Sequence, residues 1–118
     1  MLKGVEKMTN QQLGRIGEDT AKAFLECKGY RILHRNFRCR AGEIDLVALK
    51  GRILHFIEVK TRQGDSYGHP AESITPKKLG CMKAAACSYL AAEGGQKMAF
   101  GQMQFDAIEI EINHIENI

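Results

Sequence analysis

The sequence predicts one α/β domain in which helices flank a small mixed β-sheet. Two segments combine helical spacing of apolar residues with capping signals, and four apolar runs rich in Ile, Val, Leu and Phe have the pattern of strands. The 118 residues, 44% of them hydrophobic, suit a single core of ordinary size. We therefore expect the order helix, three strands, helix, strand, in one domain spanning 1–118 with a core from about 9 to 112 and loose ends.

The first helix is predicted from Asn10 to Lys28. Thr9, followed three residues later by Gln12, has the pattern of a capping box, and Gly29 is a typical stop signal. This segment therefore has defined signals at both of its ends.

The side of this helix that faces the core is predicted from its apolar stripe, which is Leu13, Ile16, Ala23, Phe24 and Cys27. Glu18 lies off the stripe, on a line with the small residues Gly14 and Ala21, which would let another element approach closely. Periodicity alone favours an exposed glutamate that pairs with Lys22 at i+4, worth a few tenths of a kcal/mol, roughly. A glutamate facing a site is the alternative.

A strand with long basic side chains is predicted over residues 30–39, and a turn at residues 40–42 leads into a hairpin over residues 42–62. The break between the two hairpin strands is Lys50-Gly51. The hairpin contains charges that need a partner or a function, because burying a lone carboxylate or ammonium costs several kcal/mol, roughly. These charged residues are Glu43, Asp45, Glu58 and Lys60.

The register of the hairpin decides which of these charges meet. If Leu49 and Arg52 close a two-residue turn, Glu43 faces Glu58, while Asp45 becomes a diagonal neighbour of Glu58, about 7–8 Å away at the backbone. All four charges then share one face of the hairpin. A three-residue loop would place Asp45 and Glu58 on opposite faces.

The second helix is predicted from Thr75-Pro76, a capping residue followed by a first-turn proline, to about Glu93. Its apolar stripe is Leu79, Met82, Ala86, Tyr89 and Leu90. Its early lysines suit a phosphate at the helix start, or alternatively form a solvated face; they are Lys77, Lys78 and Lys83. A surface loop precedes this helix, and a last strand with one wet face is predicted from Phe105 to Ile112.

Charge and composition narrow the class of protein. The net charge of +3 divides into +6 over residues 1–62 and −3 over residues 63–118. A basic region beside an acidic cluster fits a protein that binds a polyanion, and a basic strand edge that discourages aggregation fits equally well. We expect a cytoplasmic location and no membrane association, because no apolar run is long enough to span a bilayer and the first residues lack the apolar stretch of a secretory signal. The four cysteines form no CxxC pair, which favours free thiols.

The charges of the hairpin have a chemical logic of their own. Hard oxygen ligands from Asp45, Glu58 and the backbone carbonyl of Val59 can hold Mg²⁺, with Mn²⁺ as a substitute, while several waters stay in place. Such a cation stabilises charge on a phosphodiester and lowers the pKa of a bound water, and Lys60 can orient that water. The alternative to a metal site is an ordinary salt bridge between Lys60 and a carboxylate of the hairpin, worth about 0–1 kcal/mol if exposed.

The run GEIDLVA…FIEVKTR, with GEDTAKAFL on the first helix and TPKKL on the second, resembles the PD-(D/E)XK nuclease superfamily. More closely, it resembles the YraN-like bacterial proteins and is similar to the archaeal Holliday-junction resolvases. The resemblance covers residues 13–112 and implies a restriction-endonuclease-like fold. Ile44 stands where the superfamily has proline before the aspartate, and proline supplies no ligand.

The resemblance also implies roles for single residues. It makes Asp45 and Glu58 metal ligands and Lys60 the catalytic lysine, and it places at Glu18 the helical acid that completes the site, which reverses the expectation from periodicity. With the basic runs it implies a set of phosphate contacts: Arg38, Arg40, Arg62, Lys77 and Lys78. The role of Glu43 stays open between a fourth ligand, a support for the ligands and a strand-end charge.

Two functions follow as expectations. The first is metal-dependent endonucleolytic hydrolysis of DNA, on branched or damaged substrates, by a homodimer or within a larger DNA-processing complex. The second is a catalytically silent nuclease fold that binds nucleic acid or a partner protein; a plain structural protein would do neither. The four histidines lack a metal spacing. His55 is predicted on the hairpin face opposite Glu58, which favours a structural role, and His69 beside Tyr67 is a candidate substrate contact.

Overall fold

Residues 8–64, 74–92 and 100–118 are described in a computed structural model of the chain. The elements are α1 (Asn10–Cys27), β1 (Arg31–Cys39), β2 (Gly42–Lys50), β3 (Ile53–Gln63), α2 (Pro76–Ala92) and β4 (Gln102–Ile112). This order confirms the α/β prediction. The loop with Tyr67 and His69 and the predicted end of α2 at Glu93 lie outside the described residues. Within the described residues, no helix is both long and apolar enough to cross a membrane.

The four strands form one mixed sheet in the order β1-β2-β3-β4. β1 pairs with β2, and β2 with β3, in antiparallel fashion, whereas β3 and β4 run parallel. Parallel neighbours need a crossover connection, and α2 lies in the chain between β3 and β4. β4 begins at Gln102, three residues before the start predicted from its alternating isoleucines, because its first residues pair along the full length of β3.

The predicted register of the β2–β3 hairpin is wrong by two positions. Lys50 pairs with Ile53, so the two-residue turn is Gly51-Arg52. Gly51 has a φ of +60°, the positive value that a tight hairpin turn needs and that glycine adopts without strain. A shift of two does not by itself move a side chain to the other face of a regular strand. It brings Asp45 and Glu58 closer, because they lie opposite each other just beyond the last pair, Asp45 before Leu46 and Glu58 after Ile57 in the chain.

The predicted ends of α1 are confirmed by its caps. The hydroxyl of Thr9 accepts a hydrogen bond from the amide of Gln12, and the Gln12 side chain accepts one from the amide of Thr9, which is the reciprocal capping box. The helix ends at Cys27, and Lys28 is its C-cap.

The face of α1 that packs on the sheet differs from the predicted stripe. The buried residues are Gly17, Ala21 and Leu25. Ile16 and Phe24 of the predicted stripe are 38% and 51% exposed. The reason is the close approach of α1 to β3, which only the side of the helix with the smallest residues allows: a Cβ built on Gly17 would lie 1.7 Å from the hydroxyl oxygen of Thr61.

The helices cover opposite faces of the sheet and make two cores. The core on the α2 side is Phe37, Ile44, Val47, Leu54, Phe56, Ala85, Ala86 and Tyr89. The core on the α1 side is Ala21, Leu25, Leu46, Ala48 and Ile57. Most of the predicted α2 stripe is buried, with Leu79 and Leu90 half-buried at its sides. The sheet is therefore packed on both faces.

Candidate active site

The strands β2 and β3 separate next to their last paired residues. Beyond the pair of Leu46 with Ile57, the carboxylate of Asp45 accepts a hydrogen bond from the backbone amide of Val59 at 2.7 Å, in place of a backbone carbonyl. The opening forms a cleft of about 270 Å³, here called the acid cleft. It is lined by Asn10, Leu13, Gly14, Glu18, Glu43, Asp45, Glu58, Val59, Lys60 and Thr61.

Four carboxylates from three elements gather in the acid cleft. Burial is the main cause that raises the pKa of Asp45 from its ordinary value of 3.8 to about 7. The Val59 amide acts in the opposite direction, while the negative charges of Glu58, Glu18 and Glu43 raise the pKa further. These charges therefore act on one another, and each would gain from a cation placed among them.

The raised pKa of Asp45 predicts a pH-dependent stability. The folded protein holds the proton of Asp45 more tightly than the unfolded chain does, so this stabilisation is complete below pH 3.8 and is lost as the pH rises through about 7. We expect a loss on the order of 2–4 kcal/mol, reduced by solvent screening. Urea unfolding in EDTA from pH 4 to pH 8 measures it, as the difference between wild type and Asp45→Asn. A difference that does not change with pH would contradict this expectation.

Glu18 faces the acid cleft rather than bulk solvent. Its side chain is 17% exposed, and its Oε1 accepts a hydrogen bond from the Asn36 amide at 2.9 Å. Arg35 lies 3.7 Å from the same oxygen and also pairs with Asp19 at 2.8 Å. Two residues of β1 thus fix a glutamate of α1.

Asn36 and Arg35 hold Glu18 in place, and neither role was predicted from the sequence. Arg35 points to α1, while the ring of Phe37 packs edge-on against Tyr89 of α2, although residues two apart in a regular strand share a face. Asn36 lies between them with a φ of +56°, which breaks the alternation. Asparagine is one of the few residues that tolerate this conformation, so an asparagine inside a strand pattern was the available signal.

A second cleft of about 340 Å³, here called the lysine cleft, adjoins the acid cleft and shares Glu43 and Glu58 with it. Its lining residues are Gly42, Glu43, Glu58, Thr75, Lys77, Lys78, Cys81 and Met82. The Thr75 hydroxyl accepts a hydrogen bond from the Lys78 amide at 3.0 Å, which caps the first turn of α2. The ammonium group of Lys78 forms an ion pair with Oε2 of Glu58.

The structure brings some of the predicted basic residues to the clefts and leaves others apart. Lys60 is exposed and lines the acid cleft, and Lys77 lines the lysine cleft. Arg38 pairs at 3.3 Å with Glu43, the residue opposite it on β2. Arg40 and Arg62 are not among the residues lining either cleft. Glu43 thus borders both clefts as an exposed carboxylate that forms an ion pair with Arg38. The predicted strand register, with Glu43 opposite Glu58, is wrong.

The donors of the acid cleft suit Mg²⁺ by type but are few. Carboxylates of Asp45 and Glu58 and the carbonyl of Val59 are hard oxygen donors, and Mg²⁺ needs only one or two carboxylates because it keeps several waters. Among the residues that the structure describes, no three His, Cys, Asp or Glu side chains converge closely enough to ligate one metal ion directly. These donors could therefore hold Mg²⁺ only with most of its water shell kept.

His55 lies apart from this chemistry. It is buried, and its Nδ1 lies 2.6 Å from Oδ2 of Asp106 on β4. The ring also packs edge-on against Tyr30, with centroids 4.9 Å apart. These contacts join β3 to β4 and to the residue that precedes β1, which agrees with the structural role expected for His55.

Comparison with known proteins gives a family and several relatives. The model of the "Uncharacterised protein family UPF0102" matches residues 17–110, a span that includes all four carboxylates and Lys60. A UPF0102 protein of Syntrophomonas wolfei is 43% identical over 115 residues, covering 92% of this chain and 97% of the relative. One of Clostridium perfringens strain SM101 is 45% identical over 111 residues, covering 94% and 88%. One of Geotalea daltonii is 40% identical and covers 98% and 95%.

Proposed function

We propose that this chain, which belongs to the uncharacterised protein family UPF0102, catalyses metal-dependent endonucleolytic hydrolysis of phosphodiester bonds in DNA. The observation that carries the proposal is that Glu18, Asp45 and Glu58 line one cleft and that Lys60 is exposed at the same cleft. The resemblance to the PD-(D/E)XK nucleases supports it, because that superfamily uses the same residue types in the same order.

Each residue of the acid cleft has a separate task in this proposal. Asp45 and Glu58 would hold Mg²⁺ with the Val59 carbonyl, and Glu18 would orient a water of the site. The Val59 amide keeps Asp45 Oδ2 in place, and Asn36 does the same for Glu18 Oε1. The bound ion would supply Lewis-acid stabilisation of the phosphoryl oxygens and lower the pKa of a bound water.

Lys60 is the group that acts on the reacting atoms. It is exposed, so its ammonium can reach a phosphate that enters the acid cleft from solvent. A compact point charge at this place stabilises the negative charge that develops on the phosphoryl oxygens, and its protons orient the attacking water. The lysine cleft continues from the acid cleft on the α2 side, so Lys77 and Lys78 can bind the neighbouring phosphates of the same strand.

The test is cleavage of supercoiled, single-stranded and four-way-junction DNA in Mg²⁺ or Mn²⁺. We expect Lys60→Met to lower the rate by about 10²–10³-fold, because one charge at the developing transition state is removed. Lys50→Met is the matched control, since Lys50 is an exposed lysine at the far end of the same hairpin and lines neither cleft. Undiminished cleavage in Asp45→Ala, Glu58→Ala and Lys60→Ala alike would refute the proposal.

A second function is favoured by one specific observation, the ion pair that neutralises Glu58 with Lys78. A fold whose metal ligand already has a counter-ion could bind DNA or a partner protein without turnover. In that case DNA binding would be sensitive to salt and would survive the substitutions above, and no substrate of the panel would be cleaved in either metal.

The proposed enzyme is a cytoplasmic protein whose partner is DNA. Cleavage of both strands of a branched substrate needs two sites, so we place it as a homodimer or as part of a larger DNA-processing complex. Sedimentation of the full chain with and without a four-way junction would separate these two arrangements.

A further inference from the structure

Lys78 holds a position on Glu58 that a metal ion would also seek. Its ammonium contacts Oε2, and the Glu58 side chain is only 8% exposed. We propose that Lys78 is an exchangeable counter-ion: it neutralises Glu58 in the free protein and transfers to a phosphate when DNA enters the lysine cleft, so that metal binding depends on DNA. This inference rests on the proposed function and adds to it the regulation of the same site.

The ion pair and the metal compete for electrostatic reasons. A carboxylate withdrawn from water needs a positive partner, and Lys78 is the partner that the structure shows. A divalent ion bound to Glu58 would lie a few ångströms from that ammonium, and two like charges at such a distance repel by several kcal/mol at an effective dielectric constant of about 20. Metal affinity is therefore low while Lys78 stays on Glu58.

A phosphate offers Lys78 a second partner without a change of fold. The Lys78 side chain is 40% exposed, against 8% for Glu58, so the lysine can move while the glutamate stays. Lys78 lies in the first turn of α2, and the lysine cleft also contains Lys77 and Thr75. Two lysines at the positive end of the helix dipole together attract a phosphate group.

The exchange has a thermodynamic consequence. When Lys78 moves to a phosphate, the negative charge of Glu58 is released beside Asp45 and Glu18, and the acid cleft gains affinity for a cation. Binding of metal and of DNA must then strengthen each other by the same factor. Couplings of this kind commonly reach about 5–150-fold. The arrangement also keeps the catalytic ion away from a site that holds no substrate.

The experiment measures Mn²⁺ affinity by electron paramagnetic resonance, which detects free Mn²⁺ without any need for activity. All variants carry Lys60→Met so that the DNA duplex is not consumed. We expect DNA to tighten Mn²⁺ binding by at least about 5-fold when Lys78 is present. With Lys78→Met we expect tight Mn²⁺ binding without DNA and little further gain when DNA is added.

Two further variants complete the design. Lys83→Met removes the same charge from an exposed position of α2 that lines neither cleft, so it should retain the dependence on DNA. Lys78→Arg should bind Mn²⁺ more weakly than the parent without DNA, because a guanidinium can hold a carboxylate with two hydrogen bonds. The arginine variant keeps the inference testable if the methionine variant does not fold.

The outcomes separate the two proposals. Equal Mn²⁺ affinity in the parent, Lys78→Met and Lys78→Arg proteins, with and without DNA, would overturn the exchange and leave the nuclease proposal standing. Failure of every variant to bind Mn²⁺ under either condition would overturn both. An identical response of Lys83→Met and Lys78→Met would show an effect of net charge alone and would also reject the exchange.

Discussion

Replacing Asp45 with asparagine is expected to abolish metal-dependent cleavage while leaving the folded protein at least as stable as wild type at pH 8. Asparagine keeps an oxygen for the Val59 amide but removes the charge that a metal needs. It also removes a carboxylate whose pKa is raised to about 7 by burial and by three acidic neighbours, so its ionisation opposes folding at pH 8. Loss of activity with a gain of stability distinguishes a functional acid from a structural one.

Two measurements on the same protein check this result. Nicking of supercoiled DNA in Mg²⁺ should fall by about 10³-fold or more, since the site loses a ligand and not only an orienting group. The free energy of unfolding at pH 8 in EDTA should rise by roughly 1–3 kcal/mol. Glu109→Gln, which neutralises an exposed acid on β4, is the control and should change neither quantity. A destabilised yet fully active Asp45→Asn protein would contradict the assignment of Asp45.

The second large effect is expected at Gly17, where α1 touches β3. The Cβ of an alanine would lie 1.7 Å from Oγ1 and 3.0 Å from Cβ of Thr61, so either the helix or the strand must move. We expect Gly17→Ala to lower the free energy of unfolding by about 1–3 kcal/mol or more. Because Glu18 is the next residue, the same displacement should move an acid of the cleft and reduce cleavage.

A matched control lies one turn earlier in the same helix. A Cβ on Gly14 would meet nothing within 4 Å, so Gly14→Ala should stabilise the protein by about 0.5–1 kcal/mol through helix propensity. Chemical denaturation of both variants gives the comparison. Thr61→Ala, combined with Gly17→Ala, removes the closest atom and should restore part of the lost stability. Equal stability of the two glycine variants would show that α1 and β3 do not approach as closely as described.

Much of the fold follows from local signals in the sequence. The capping box at Thr9, the turn at Gly51 and the proline start of α2 depend on neighbouring residues only. The capping box and the start of α2 form where they are predicted, and the turn lies within two residues of its predicted position. The placement of Asp45 and Glu58 at one cleft was predictable for the same reason. Side chains in strands alternate with a period of two, so an error of two in the register leaves their face unchanged.

The buried side of α1 was not predictable from its apolar stripe. The helix packs through Gly17, Ala21 and Leu25, because α1 approaches β3 so closely at Gly17 that no side chain fits there. Hydrophobic periodicity indicates which side of a helix is apolar, but the distance between two elements decides which side can be buried. The same packing turns Glu18 toward the cleft, where the resemblance, but not the periodicity, had placed it.

By itself the sequence determined the order of the elements, the hairpin and the residue types of the candidate site, because these depend on short spacings and backbone preferences. Only the tertiary structure decided how the acids are held. Asn36 and Arg35 come from β1 to fix Glu18, and Lys78 comes from α2 to pair with Glu58. Such contacts join residues far apart in the chain, so their existence depends on the positions of whole elements, which no local pattern encodes.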